Sequence, residues 1–189
     1  MKLNLGCGDR YADGWTNVDH EGSPHHKDVA LNLAQSTAPL PWSAGSVTHI
    51  YAGHVLEHLS IADCGDLLVR LLPLMAPGGQ IMVVGPDLIK AEMMIDAGTF
   101  DFRWGHTLDS LRHGGHRWPG DEHLWECNAA IVAMMLDRAG WSGVSDVGIE
   151  HVPAGWPVAD RAPLWQCAVS AVSAVSAAGA PTLSVEVSA

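Results

Sequence analysis

The chain has 189 residues, of which 48% are hydrophobic and 16% charged, a balance that suits one domain with its own core and excludes a disordered chain. Its formal charge of −11, from 21 acidic against 10 basic residues, repels phosphate backbones and argues against nucleic acid as a main partner. No apolar stretch approaches the roughly 18 residues of a membrane helix. Met1-Lys2 leads straight into strand-like sequence, and the four cysteines (Cys7, Cys64, Cys127, Cys167) are dispersed without a CxxC pair. The expectation is a soluble cytoplasmic protein with free thiols and no membrane partner.

In chain order, Lys2-Leu3-Asn4-Leu5 reads as a strand running into glycines, and Trp15 to Asp19 as a second. The gap between them leaves room for a very short helix at most. Val29 to Leu33 is a third strand candidate, and Val47 to Ala52 a buried fourth. Leu67, Leu68, Leu71 and Leu72 recur at helical spacing, in a helix that should end near Pro73 and before Pro77-Gly78-Gly79. Ile81 to Val84 is a continuous apolar run, as in a central parallel strand. From Asp87 to Gly120 the pattern dissolves into a polar, Gly- and His-rich stretch, the composition of a lid or binding loop. Leu124 to Arg138 reads as a helix stopped by Gly140, followed by strand candidates at Val144 to Val152 and Leu164 to Val172. Residues 1–172 form the expected domain, with 87–123 a substrate-binding insertion and 173–189 a frayed tail. This alternation predicts an α/β, doubly wound sheet, with ligands held outside the carboxyl ends of its strands.

Candidate site residues follow those strand ends. Gly6-Cys7-Gly8 lets backbone approach a ligand that side chains would exclude. Asp19 closes the second strand, where a carboxylate can accept the two hydroxyls of a ribose. Three features argue against a dinucleotide site. Tyr11 stands at the third position of G-x-G-x-x-G, Asp19 comes too soon, and no full helix follows to hold a pyrophosphate.

Five segments carry a family resemblance: Leu3-Asn4-Leu5-Gly6-Cys7-Gly8, Gly14-Trp15-Thr16-Asn17-Val18-Asp19, Leu40-Pro41-Trp42, His54-Val55-Leu56-Glu57-His58-Leu59 and Ala76-Pro77-Gly78-Gly79. In order and spacing the chain resembles small class I S-adenosylmethionine (SAM)-dependent methyltransferases of the type 11 group. The resemblance implies a mostly parallel, seven-stranded Rossmann-like sheet with its last strand antiparallel. It also implies SAM as cofactor. Gly6, Cys7 and Gly8 would pass under its amino-acid part, Asp19 would hold the ribose, and His20, Asn32 and Leu33 would border the adenine. Ala52, Gly53 and His54 would lie near the transferred methyl. Asn4 stands where the family more often has an acidic residue near the methionine amine.

Methyl transfer to a hydroxyl needs a base, for which His suits neutral pH. His54 is the first candidate, with Asp87 and His116 as further catalytic groups. His113, His123, Trp104 and Trp118 are candidate substrate contacts, since indoles stack on sugar rings. The expected acceptor is a small molecule, a sugar or glycan hydroxyl first. An amine or other non-sugar metabolite is the alternative, and a non-enzymatic SAM-fold subunit a further one. A homodimer is left open. A divalent metal held by His106, His113, His116 and His123 is a secondary expectation. His54-Val55-Leu56-Glu57-His58 also spells the inverted zinc-peptidase signature, with Glu126 as nominal third ligand. That reading requires the segment to be helical.

Overall fold

The computed structural model describes residues 1–34, 39–102, 106–116, 120–158 and 164–174. Seven strands run β1 (Lys2–Leu5), β2 (Thr16–Asp19), β3 (Val29–Ala30), β4 (Val47–Gly53), β5 (Met75–Pro86), β6 (Ser142–Asp146) and β7 (Gln166–Val172). They form one sheet in the order β3-β2-β1-β4-β5-β7-β6. Strands β1 to β5 pair in parallel, and β7 is antiparallel to both β5 and β6. Leu5 pairs with both Val18 and Ala52, and Gly53 with Val84, so the carboxyl ends of β1, β2, β4 and β5 share one edge.

Four helices accompany the sheet: α1 (Ile61–Leu71), α2 (Leu88–Asp96), α3 (Leu108–His113) and α4 (Ala129–Arg138). Helix α1 starts where the Ser60 hydroxyl accepts from the Asp63 N–H, and it buries Cys64, Leu67, Leu68 and Leu71 along one stripe. Helix α4 starts where Asn128 accepts from the Ile131 N–H, and it buries Val132, Met135 and Leu136. Both pack in one core with Leu3, Leu5, Val18, Ile50, Ile81 and Val83 of the sheet. The alternate residues of the same strands, Tyr51, Met82, Val84 and Ala168, face the other way and pack with Trp15 and Ile149. No helix among the described residues is long and apolar enough to cross a membrane. All four cysteines are free and buried.

Element existence follows the sequence pattern closely, and boundaries follow local hydrogen bonding. The third strand is only Val29–Ala30. Beyond it Leu31 still donates to the Asp19 carbonyl, but Asn32 Oδ1 then accepts from the Ala34 N–H and turns the chain. The fifth strand reaches back through Pro77-Gly78-Gly79, with a register shift that lets Val47 pair with Met75 and His49 with Gln80. The helix expected from Leu124 begins only at Ala129, because Asn128 caps it and Trp125 is turned back to donate to the Leu56 and Leu59 carbonyls.

The clearest correction concerns residues 87–123. Instead of a long loop, α2 and α3 lie there, and Leu88, Ala91, Phe100, Leu111 and Trp165 form a small core of their own. Leu88, Ala91 and Ile95 keep helical spacing, a signal obscured by the surrounding polar residues. The tail from residue 175 onward lies outside the described residues, and Ser173 at its base donates to the Gly79 carbonyl.

Candidate active site

The glycine turn after β1 has the geometry its sequence predicts. Gly6 and Gly8 take φ of +59° and +51°, values that an L side chain rarely adopts. A Cβ on Gly6 would collide with Val55 Cγ2, whereas one on Gly8 would meet no atom within 4 Å. The first glycine is therefore required by packing, and the second leaves open space over the turn. Across the edge, the Asp19 carboxylate accepts the Gly8 N–H at 3.1 Å through Oδ2 and the His20 N–H at 2.8 Å through Oδ1. Asp19 is buried. Its two backbone bonds hold the carboxylate rigid, and each oxygen retains a lone pair for a further donor.

Asn4 belongs to the scaffold of this turn. Its amide donates to the Arg10 carbonyl and to Asn17 Oδ1, and Asn17 in turn accepts the Ala12 N–H. Asp28 accepts from the Asn17 N–H, the Asn17 amide and the Tyr11 hydroxyl. These bonds replace the helix that a longer connection would carry. Burial, reinforced by the Asp19 charge, pushes the Cys7 thiol up to about 11, so it stays protonated and serves as a small filler.

His54 leaves β4 at the same edge with φ of +56°, a strained value for a non-glycine residue. Its N–H donates to the Val84 carbonyl at 2.8 Å, which holds that conformation. His54 Nδ1 lies 3.1 Å from Glu57 Oε1, and His54 Nε2 lies 2.9 Å from the Gln166 amide nitrogen. A carboxylate can only accept, so Nδ1 carries a proton and Nε2 is the ring atom turned toward Gln166. Glu57 is 1% exposed. Burial alone would raise its carboxyl, but the hydrogen bond from His54 and the nearby His54, His58 and His123 rings outweigh it and hold it below the ordinary value. The pair is thus a buried carboxylate orienting an imidazole through its Nδ1–H, the arrangement of a histidine that handles protons.

No protein-family model matches the sequence, and no curated protein matches it. Solved structures do. A SAM-dependent methyltransferase from Archaeoglobus fulgidus aligns at a TM-score of 0.58 and 15% identity, over 90% of this chain and 85% of that one. A protein of Nostoc punctiforme described as a candidate O-methyltransferase aligns at 0.55 and 13% identity, over 90% of this chain and 51% of that one. The chain therefore spans about half the length of that protein. The 1,6-didemethyltoxoflavin-N1-methyltransferase of Burkholderia thailandensis, solved with its namesake compound and S-adenosylhomocysteine bound, aligns at 0.54 and 15% identity over 91% of this chain and 70% of that one. This chain has the class I SAM-dependent methyltransferase fold.

Within the methyltransferase fold the remaining candidates separate. Ala52 is buried in the core and Gly53 is forced by Tyr51, whose ring a Cβ there would strike. His20 is exposed just beyond Asp19. Asn32 spends its side-chain oxygen on the Ala34 N–H, and Leu33 is buried against the core. Asp87, expected as a catalytic carboxylate, instead accepts the Lys90 N–H at 3.0 Å and the Ala129 N–H at 3.2 Å. Both oxygens thereby cap helix starts, which is structural work. Asp87→Ala should cost about 1–2 kcal/mol of stability in urea denaturation; a loss within error would show that the caps contribute nothing.

The histidine-rich stretch does not assemble as one cluster. His113 is exposed, 4.0 Å from Asp109, and His116 sits exposed at φ of +49°. His106 packs edge-on against Trp165. Only His123 turns inward, toward His58 and Glu57. Trp104 and Trp118 lie outside the described residues. The inverted zinc-peptidase reading fails on geometry: His54 ends a strand, Leu56–His58 is a single 3-10 turn, and Glu126 pairs with Arg112 at 2.7 Å. Sequence reasoning missed Gln166, which reaches His54 only because antiparallel β7 pairs it with Pro86. It also missed Glu57 as the group that orients His54, although the three-residue spacing offered that signal.

Proposed function

We propose that the protein transfers a methyl group from SAM to a hydroxyl of a small molecule, with His54 as the base. The observation that carries this reading is the His54–Glu57 pair at the carboxyl end of β4, on the same sheet edge as the glycine turn and Asp19. The site fits the cofactor: the open space over Gly8 admits its amino-acid part, and the spare lone pairs of Asp19 suit its ribose hydroxyls. Bound SAM supplies an electrophilic methyl on its sulfonium. The chain's own contribution is placement and proton removal. The edge holds the acceptor oxygen in line at roughly 3–3.5 Å from the methyl. His54 Nε2 takes the hydroxyl proton once the acceptor displaces the Gln166 amide, and Glu57 stabilises the resulting imidazolium.

The insertion at 87–123 borders the acceptor side in this reading. Beside it, the Trp125 indole N–H donates to the Leu56 and Leu59 carbonyls and ties that ring to the exit of β4. A sugar hydroxyl remains the first acceptor class on the strength of Trp104 and Trp118, with His113 and His116 as polar contacts. The test pairs calorimetry with SAM against methylation of an acceptor panel spanning sugars, phenols and amines. SAM binding with methylation of a hydroxyl compound is expected. Binding without turnover on any acceptor would favour a non-catalytic SAM-fold subunit, and amine-only turnover would remove the need for the base.

A further inference from the structure

Glu57, His58 and His123 each bring a ligand atom within 4.8 Å of the other two. His58 Nδ1 lies 3.1 Å from the Glu122 carbonyl and His123 Nδ1 lies 2.8 Å from the Leu111 carbonyl. A carbonyl only accepts, so both Nδ1 atoms carry the proton and both Nε2 atoms are left with a free lone pair. Metal-bound histidines are oriented in this way, with the second ring nitrogen donating to a backbone carbonyl or carboxylate. The two rings meet edge to face, 4.9 Å between centroids. Glu57 is fully enclosed, with His54 against one carboxylate oxygen and the His58 and His123 rings beside it. A buried carboxylate in such company calls for a cation.

From this arrangement we infer that Glu57, His58 and His123 bind a divalent transition metal ion, zinc first, that fastens the 106–125 segment to the exit of β4. Two imidazoles and a carboxylate match zinc and its neighbours, whereas magnesium and calcium prefer all-oxygen shells. A tetrahedral zinc shell, with ligand edges of roughly 3.3 Å, would draw together atoms that already lie within 4.8 Å of one another. The location explains what the ion would do. His58 and Glu57 follow β4, while His123 belongs to the segment beyond α3, so the ion would join elements already bridged by the Leu124 N–H to the Glu57 carbonyl. Glu57 would also be shared between the ion and His54, so metal binding would stiffen the side chain that orients the proposed base. The ligand set differs from the inverted peptidase pattern, because His123 replaces His54. This inference does not depend on methyl transfer, and its readouts need no SAM.

The test uses the full chain, stripped with a chelator and titrated with cobalt(II) and then zinc. About one cobalt per chain with a visible ligand-field band, and a Tm raised by about 5–10 °C at saturating zinc, are expected. His58→Asn and His123→Asn should each lose the band and the Tm shift, while His151→Asn at an exposed position should keep both. If one ligand variant fails to fold, the other carries the comparison with the wild type. No band and no zinc-dependent shift would overturn the site. So would a band and shift that persist in both ligand variants, which would mark adventitious binding to other histidines, or a Tm response to magnesium but not to zinc.

Discussion

His54→Ala should lower turnover by about 10²–10⁴-fold while leaving SAM affinity within about twofold. The split is the informative part. His54 is tied to Glu57 and Gln166, whereas the proposed cofactor contacts lie on Gly6, Gly8 and Asp19. Removing the imidazole takes away proton acceptance, which matters only as the hydroxyl becomes a nucleophile. Glu57→Gln is the companion: the amide can still hold His54 in place, but it cannot stabilise an imidazolium, so kcat should fall with KM little changed. An unchanged rate for His54→Ala, with an active wild type, would move the base elsewhere. Equal losses in turnover and SAM affinity would mean that His54 acts through the architecture of the site.

Asp19→Ala should weaken SAM binding at least about tenfold, or ~1.4 kcal/mol, by calorimetry. Two effects combine here. The carboxylate is the proposed acceptor for the ribose hydroxyls, and it also accepts the Gly8 and His20 N–H groups. Losing it removes both of those backbone bonds and loosens the glycine turn. Asp19→Asn separates the contributions, because its side-chain oxygen can keep one backbone bond while its amide cannot accept a hydroxyl. Affinity restored by Asp19→Asn would show that Asp19 matters for shaping the turn alone. Unchanged affinity in Asp19→Ala would refute the ribose assignment.

The two experiments probe features of different legibility. The glycine turn and Asp19 could be read directly, since their signals are local: two glycines after one strand and a carboxylate ending the next. His54 could be placed for the same reason, at the end of an apolar strand. Its partners were harder. Gln166 lies far along the chain and arrives through an antiparallel pairing with Pro86. The histidines between 106 and 123 looked equivalent in sequence, and the structure separates them: His123 turns inward on the Leu111 carbonyl and His113 stays exposed. Asp87 shows what position alone leaves out. Its position after β5 suggested chemistry, but the start of α2 directly behind it claims the carboxylate as a cap.

What the sequence determined by itself was the alternation of strands and helices, the left-handed glycines and the residues at strand ends. These depend on periodicity and on backbone conformations that few residues tolerate. Only the tertiary structure decided which polar side chains remain available for a ligand. Each hydrogen-bonding site is exclusive: an amide oxygen or N–H already committed to another group of the protein is lost to a substrate, and sequence does not reveal the commitment. Asn4 and Asn32 are committed to the scaffold in this way. Asp19 keeps lone pairs to offer, and His54 is poised by a glutamate that burial has hidden from solvent.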